Sequence, residues 1–328
     1  MANSKPTRNL ALELARVTEA AALAAGRYMG RGDKIAADKA AVDAMRLVMN
    51  SIQMDGVIVI GEGEKDEAPM LYNGERLGTG ESPAVDIAVD PIDGTRPMAL
   101  GLPNAISTVA LAPRGTMFNP GPIMYMNKIA VGPEARDVID IEAPVEDNLS
   151  KIAHALGKDL NDLTTVILDR ERHKELITRV RTTGARILLI PDGDVAGALM
   201  TAWPSAHVDV LLGIGGTPEG VIAACAMRAM GGNIQGKLYP RNADEAERGR
   251  QAGYDLNKVL TIDDLVSSDD VFFAATGLTD GVFLNAVNYF KDGAETDTLV
   301  VRGLTGTIRH IIATHRLSKL GMVSAIDY

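Results

Sequence analysis

Residues 85–96 read VDIAVDPIDGTR. Apart from Asp86 the first five are apolar, which is the pattern of a buried strand. Two carboxylates, Asp90 and Asp93, follow at its end. Pro91 fixes its own φ and disfavours helix at the residue before it, so Asp90 stays extended and the chain turns just after it. Gly94 lets the backbone approach a ligand closely. A short helix starting near Thr95 would turn free N–H groups toward a phosphate. The Thr95 hydroxyl would then stand beside both acids.

Three other apolar segments end in the same way. Residues 57–64 (VIVIGEGE) place Glu62 and Glu64 just past a strand, and residues 188–194 (LLIPDGD) do so for Asp192 and Asp194. Residues 211–220 (LLGIGGTPEG) put Glu219 one residue into a helix. Ligands of α/β sheets bind beyond the carboxyl ends of strands, so four acidic clusters at four such ends predict one pocket. Any one cluster could be an ordinary turn or cap, since Asp and Gly favour turns. Turn chemistry gives no reason for all four to sit at strand ends. Converging carboxylates repel, and burial would raise their pKa values. Mg²⁺ or Mn²⁺, hard cations that take oxygen ligands and share them with phosphates, would remove the conflict. The five histidines show no H-x-H or H-E-x-x-H spacing, which argues against zinc.

Outward from this stretch, residues 10–29 and 38–52 read as helices, and residues 56–60, 85–89, 105–112 and 127–131 as strands. This is an α+β pattern. Farther on, strands at 164–168, 185–190 and 208–212 alternate with helices at 171–182, 195–202 and 218–230, which suggests an α/β layer with a largely parallel sheet. The change of pattern predicts two domains, residues 1–155 (α+β) and residues 156–328 (α/β); the resemblance given below implies that the first holds metal and phosphate and the second the sugar. The charged run 244–250 reads as a solvated face. Met45, Met49 and Met54 read as core, and Cys225 as a small buried apolar residue.

The chain has 328 residues and a net charge of −10, so it lacks the basic footprint of a nucleic-acid binder. No apolar run approaches a membrane span. The polar start lacks a secretion signal, and a lone cysteine permits no internal disulfide, so a cytoplasmic location is expected.

The segment D-P-I-D-G-T, residues 90–95, resembles the metal-binding signature of the lithium-sensitive phosphatases, which include inositol monophosphatases and fructose-1,6-bisphosphatases. Longer segments are more specific. IVIGEGEKDEAPMLY, YMNKIAVGP, IPDGDVAGA, GIGGTPEGV and FFAATGLTDG resemble class II, GlpX-type, bacterial fructose-1,6-bisphosphatases, and the similarity runs from about residue 10 to about residue 320. It implies a layered α-β-α-β-α sandwich of the sugar phosphatase type. It also implies metal-dependent hydrolysis of the 1-phosphate of D-fructose 1,6-bisphosphate in gluconeogenesis, with sedoheptulose 1,7-bisphosphate as an alternative or second substrate.

Carried over residue by residue, the implied ligands of two or three Mn²⁺ or Mg²⁺ ions are Asp38, Glu62, Asp90, Asp93 and Glu219. The implied substrate contacts are Asp93, Gly94, Thr95, Tyr125, Arg170, Glu171, Arg172, Asp192, Gly193, Asp194 and Gly216. Thr95 matches the residue that assists the attacking water, with Asp90 and Glu62 as catalytic carboxylates. Relatives form homodimers or homotetramers, and the same is expected here. Two positions depart from the pattern: some relatives have Glu where Asp93 stands, and many have Pro where Glu171 puts a negative charge between two arginines. A dinucleotide-binding oxidoreductase is disfavoured because no glycine-rich turn fits G-x-G-x-x-G with an acid about 20 residues on. A non-catalytic protein of the same fold is disfavoured by the full set of matched acids plus Thr95.

Overall fold

The computed structural model describes residues 9–61, 71–326 and 328. Helices α1 (Ala11–Ala25) and α2 (Lys34–Met49) come first; the Asp33 carboxylate caps α2 by accepting the Ala36 N–H at 3.0 Å. Strands β1 (Asp55–Ile60), β2 (Arg76–Leu77) and β3 (Ala84–Asp93) follow, then the short helix α3 (Thr95–Leu100) and strands β4 (Ile106–Pro113) and β5 (Tyr125–Val131). Next come α4 (Val145–Leu156), β6 (Thr164–Leu168), α5 (Lys174–Thr182), β7 (Arg186–Ile190), α6 (Asp194–Thr201), β8 (Val210–Gly216) and α7 (Thr217–Met230). The remainder is β9 (Asn233–Leu238), α8 (Ala243–Gln251), α9 (Ile262–Leu265), β10 (Phe272–Gly277), β11 (Asn288–Phe290), β12 (Gly293–Arg302), β13 (Thr307–His315) and α10 (Leu317–Val323).

The strands form two mixed sheets. The first has the order β11-β12-β10-β4-β3-β1-β2, with β13 on the other side of β12; the second is β7-β6-β8-β5-β9. In the second sheet β6, β7 and β8 pair parallel, and β5 alone runs against the others, pairing antiparallel with β8 on one side and β9 on the other. The expected parallel pairing is therefore confined to three strands. A cut at residue 155/156 separates neither sheet: β5 lies in the second, and β10 to β13 complete the first.

Helices α1 and α2 pack on one face of the first sheet, α6 and α7 fill the space between the sheets, and α4 and α5 cover the outer face of the second. This is the α-β-α-β-α sandwich the resemblance implied. The period of two along each strand sorts its side chains between layers. In β3, Val85, Ile87 and Val89 pack toward α1 and α2, while Ala88 packs toward the middle layer. In β5, Ile129 and Val131 pack toward α4 and α5, while Met126 and Ala130 face the middle. Each large apolar side chain buried this way, such as Leu14 or Ile87, contributes roughly 1.5–3 kcal/mol. Met45, Met49, Met54 and Cys225 are buried, and burial pushes the Cys225 thiol up to about 12. No helix among the described residues is long and apolar enough to cross a membrane.

Candidate active site

A β-bulge brings the two acids of β3 together. Three residues apart on a regular strand, Asp90 and Asp93 would face opposite sides. Here Asp90 pairs with Thr108 and Asp93 with Ile106, so β3 uses three steps where β4 uses two. The extra residue restarts the alternation. Ile92 joins Val89 in the core beneath α1 and α2, and both carboxylates face the middle layer. The Asp90 side chain accepts the Ile92 N–H at 3.1 Å and so ties the bulge. Gly94 then takes φ 92°, a left-handed conformation suited to glycine, and α3 starts at Thr95.

The cavity at this point has a volume of about 730 Å³ and opens at the carboxyl ends of β3, β6, β7 and β8. Asp90, Asp93, Asp192, Asp194 and Glu219 line it together with Gly94, Thr95 and Gly216, and Tyr125, Arg170 and Arg172 line it as well. Three of the four predicted acidic clusters thus meet. The fourth, with Glu62 and Glu64, lies outside the described residues.

The double glycine at the end of β8 is set by close approach. A Cβ on Gly215 would stand 1.9 Å from Asp194 Oδ2, and one on Gly216 would stand 1.7 Å from Glu219 Oε2. Only glycine leaves room for both carboxylates there. Gly193, at φ 86°, precedes α6, and the Ala196 N–H in the first turn of that helix donates to Asp93 Oδ2 at 2.9 Å.

Asp38, on α2, stands behind this wall. Thr95 Oγ1 donates to Asp38 Oδ1 at 3.5 Å and to the Ile92 carbonyl at 3.2 Å. Burial pushes the Asp93 carboxyl well above the usual carboxylate range. Repulsion from Asp194, Asp192 and Glu219 adds to this, and the Ala196 N–H opposes it. Asp192 is raised mainly by burial, with Arg170 opposing. These donors are all carboxylate oxygens, the set that suits a hard divalent cation, which would also relieve their repulsion. Among the described residues no group of three or more His, Cys, Asp and Glu is close enough to hold an ion on its own.

The Arg170 and Arg172 forks are engaged with the protein: Arg170 donates to the Pro191 carbonyl and to Asp192 Oδ1 (3.2 Å), and Arg172 donates to the Ile214 carbonyl at 2.7 and 3.0 Å. Glu171 turns away from the cavity. Its carboxylate is exposed and pairs with Lys174 at 2.7 Å, one helical turn on, so it does not separate the arginines electrostatically.

Several residues of the site were not read from the sequence. Lys128, on the middle-layer face of β5, is ion-paired with Asp194 and donates to the Gly216 carbonyl at 2.8 Å. It ties the β7–α6 and β8–α7 corners together. His173 accepts the Ile214 N–H at 2.8 Å through Nε2 and bonds the Leu168 carbonyl through Nδ1 at 2.7 Å, so Nδ1 carries the proton. Burial lowers its pKa and favours that neutral form. Arg241 and Arg248 also line the cavity. A lysine in YMNKIAV gives no local signal, because what matters is which face of β5 it occupies.

Comparison with known proteins accounts for nearly the whole chain. The family described as bacterial fructose-1,6-bisphosphatase, glpX-encoded, matches residues 8–315. The chain is 49% identical over 326 residues to a fructose-1,6-bisphosphatase class 2 of Haemophilus influenzae, covering 95% of this chain and 98% of that protein. It is 47% identical over 325 residues to fructose-1,6-bisphosphatase 1 class 2 of Escherichia coli K12, covering 95% and 96%. The chain therefore belongs to the bacterial, glpX-encoded fructose-1,6-bisphosphatase family and is a phosphatase.

Proposed function

We propose that the cavity between the two sheets removes the 1-phosphate of D-fructose 1,6-bisphosphate, leaving fructose 6-phosphate and inorganic phosphate. One observation carries the reading: a single cavity has a carboxylate wall with Thr95 and an arginine wall with Tyr125. A sugar bisphosphate carries two anionic ends. One end can share cations with the carboxylates, and the other can lie against guanidinium groups.

Asp38, Glu62, Asp90, Asp93 and Glu219 are the residues that would hold two or three Mn²⁺ or Mg²⁺ ions. Such ions, when bound, supply charge neutralisation and an acidified water. The Thr95 hydroxyl, within reach of Asp38, orients the attacking water in line with the phosphorus, and a carboxylate among Asp90, Glu62 and Asp38 accepts its proton. The bond from phosphorus to the sugar oxygen breaks, and solvent protonates the leaving alkoxide. Backbone N–H groups after Gly94 and Gly193 face the phosphate and sugar, while Asp192, Asp194 and Gly216 border the ring. Tyr125, Arg170 and Arg172 face the uncleaved phosphate. Glu171 has no part in this scheme. The enzyme works as a homodimer or homotetramer in the cytoplasm.

The test is phosphate release by the purified chain from fructose 1,6-bisphosphate, with sedoheptulose 1,7-bisphosphate alongside. Turnover should require Mn²⁺ or Mg²⁺, stop after EDTA, and return with added metal. Undiminished turnover after thorough chelation would remove the cation from the scheme. No release with either metal would remove the scheme itself.

A further inference from the structure

The turns at Gly94 and Gly193 belong to different sheets, one after β3 and one after β7, yet both lead into the same cavity. One short segment lies behind both. Ala105 Cα packs 3.4 Å from the point where a Cβ on Gly94 would stand, and the Asn104 carbonyl oxygen packs 3.5 Å from the equivalent point on Gly193. Asn104 itself holds φ 72°. Among the described residues only Asn104 and His207 adopt a left-handed backbone without being glycine. Most side chains oppose that conformation, and Asn tolerates it better than most. It persists where the surrounding structure over-determines it.

The loop between β10 and β11 supplies that constraint. The Asn104 N–H donates to the Asp280 carbonyl at 3.0 Å, and Asn104 Oδ1 accepts the Val282 N–H at 3.0 Å. The Ala105 N–H donates to Thr279 Oγ1 at 2.9 Å, and the Ala105 carbonyl accepts the N–H groups of Leu278 and Thr279 at 2.9 and 3.2 Å. The Asp280 carboxylate accepts the Ala286 N–H at 2.9 Å and so closes the loop on itself. The segment FFAATGLTDG, residues 272–281, thus grips residues 104 and 105 although none of its residues lines the cavity. Thr95 follows Gly94 directly and Asp194 follows Gly193, so a shift of either turn moves a side chain of the site. A misplacement of about 1 Å in a reacting geometry costs about 10²-fold in rate.

We infer that Asn104 is a positioning residue: its left-handed backbone, locked by Oδ1 on the Val282 N–H, sets the Gly94 and Gly193 turns at the separation the reaction needs. This rests on the hydrolase reading above. The test compares Asn104→Ala, Asn104→Gly and Asn104→Asp in steady-state phosphate release from fructose 1,6-bisphosphate, with circular dichroism confirming each fold. Ala lacks both the oxygen and the backbone tolerance, Gly lacks only the oxygen, and Asp keeps both. N104A should lose about 10–10²-fold in kcat, with the KM within about threefold of wild type. N104G should lie between, and N104D should retain most of the turnover. A purely structural role would lower Tm and leave the kcat of the folded protein in place. A kcat in folded N104A within about threefold of wild type therefore overturns the inference. So does an equal loss in N104D and N104A, or a loss carried by KM alone. If N104A does not fold, N104G is set against N104D, and equal kcat values in those two overturn it. If the wild-type protein turns over and the variants match it, the hydrolase reading stands and the positioning role falls. If the wild-type protein releases no phosphate at all, both fall.

Discussion

Replacing Lys128 by Met tests how the site is held together. Lys128 is 2% exposed and Asp194 is 7% exposed, and they are ion-paired inside the middle layer. Methionine fills a similar volume but leaves the Asp194 carboxylate buried near Asp93 and Asp192 with its cation gone. It also removes the donor to the Gly216 carbonyl. Breaking a buried pair from one side costs about 3–5 kcal/mol, mostly because the remaining charge is stranded. Unfolding entropy of roughly 2.1 cal/mol/K per residue gives about 0.7 kcal/mol/K for a chain of this length, so Tm should fall by about 4–7 °C. Thermal unfolding in EDTA, followed by circular dichroism, measures this without bound cations. Adding Asp194→Asn to the same chain removes the stranded charge and should recover roughly half of the loss, which a double-mutant cycle will show. A Lys128→Met protein within about 1 kcal/mol of wild type, or no recovery with Asp194→Asn, would refute the reasoning.

Two other outcomes follow from the site and the fold. Thr95→Ser keeps a hydroxyl and should retain turnover, whereas Thr95→Ala should lose about 10²–10⁴-fold in kcat; an Ala variant within a few-fold of wild type would take Thr95 out of the reaction. Glu19, on α1, has its carboxyl pushed up to about 7 by burial, only partly opposed by Arg16. Folding therefore favours its protonated form. That contribution is complete below about pH 4.5 and is lost as pH rises toward 7. Glu19→Gln should gain stability over wild type as pH goes from 5 to 8, by up to about 3 kcal/mol, as read from urea unfolding curves. A gain independent of pH would rule out this origin.

The acids at strand ends could be read from sequence because their signal is local: an apolar run, then carboxylates with Gly or Pro. Asp90, Asp93, Asp192, Asp194 and Glu219 all arrive in one cavity as that pattern predicts. Asp86 sits in the same run but has a different task; its Oδ2 accepts the N–H groups of Gly115, Thr116 and Met117 and fixes the turn after β4. Lys128 and His173 could not be read, since their partners lie 66 and 41 residues away. Arg248 lies inside a run that also looks like solvated charge, and Arg241 stands just before α8, so neither gave a signal of its own. Strands β10 to β13 went unseen as a group because they gain their meaning only by pairing with β4, far back in the chain. The mixed character of the second sheet escaped for the same reason.

That long return has a kinetic side. Strand β4 lies between β3 and β10, and β10 begins 159 residues after β4 ends. During synthesis, β3 and its carboxylates emerge long before the strand that shields the far edge of β4. At roughly 5–20 residues per second, this leaves an open edge for about 8–30 seconds. A nascent chain interrupted in that interval would display an unpaired ladder flanked by Val109 and Leu111, a surface on which chaperones or another nascent copy could settle.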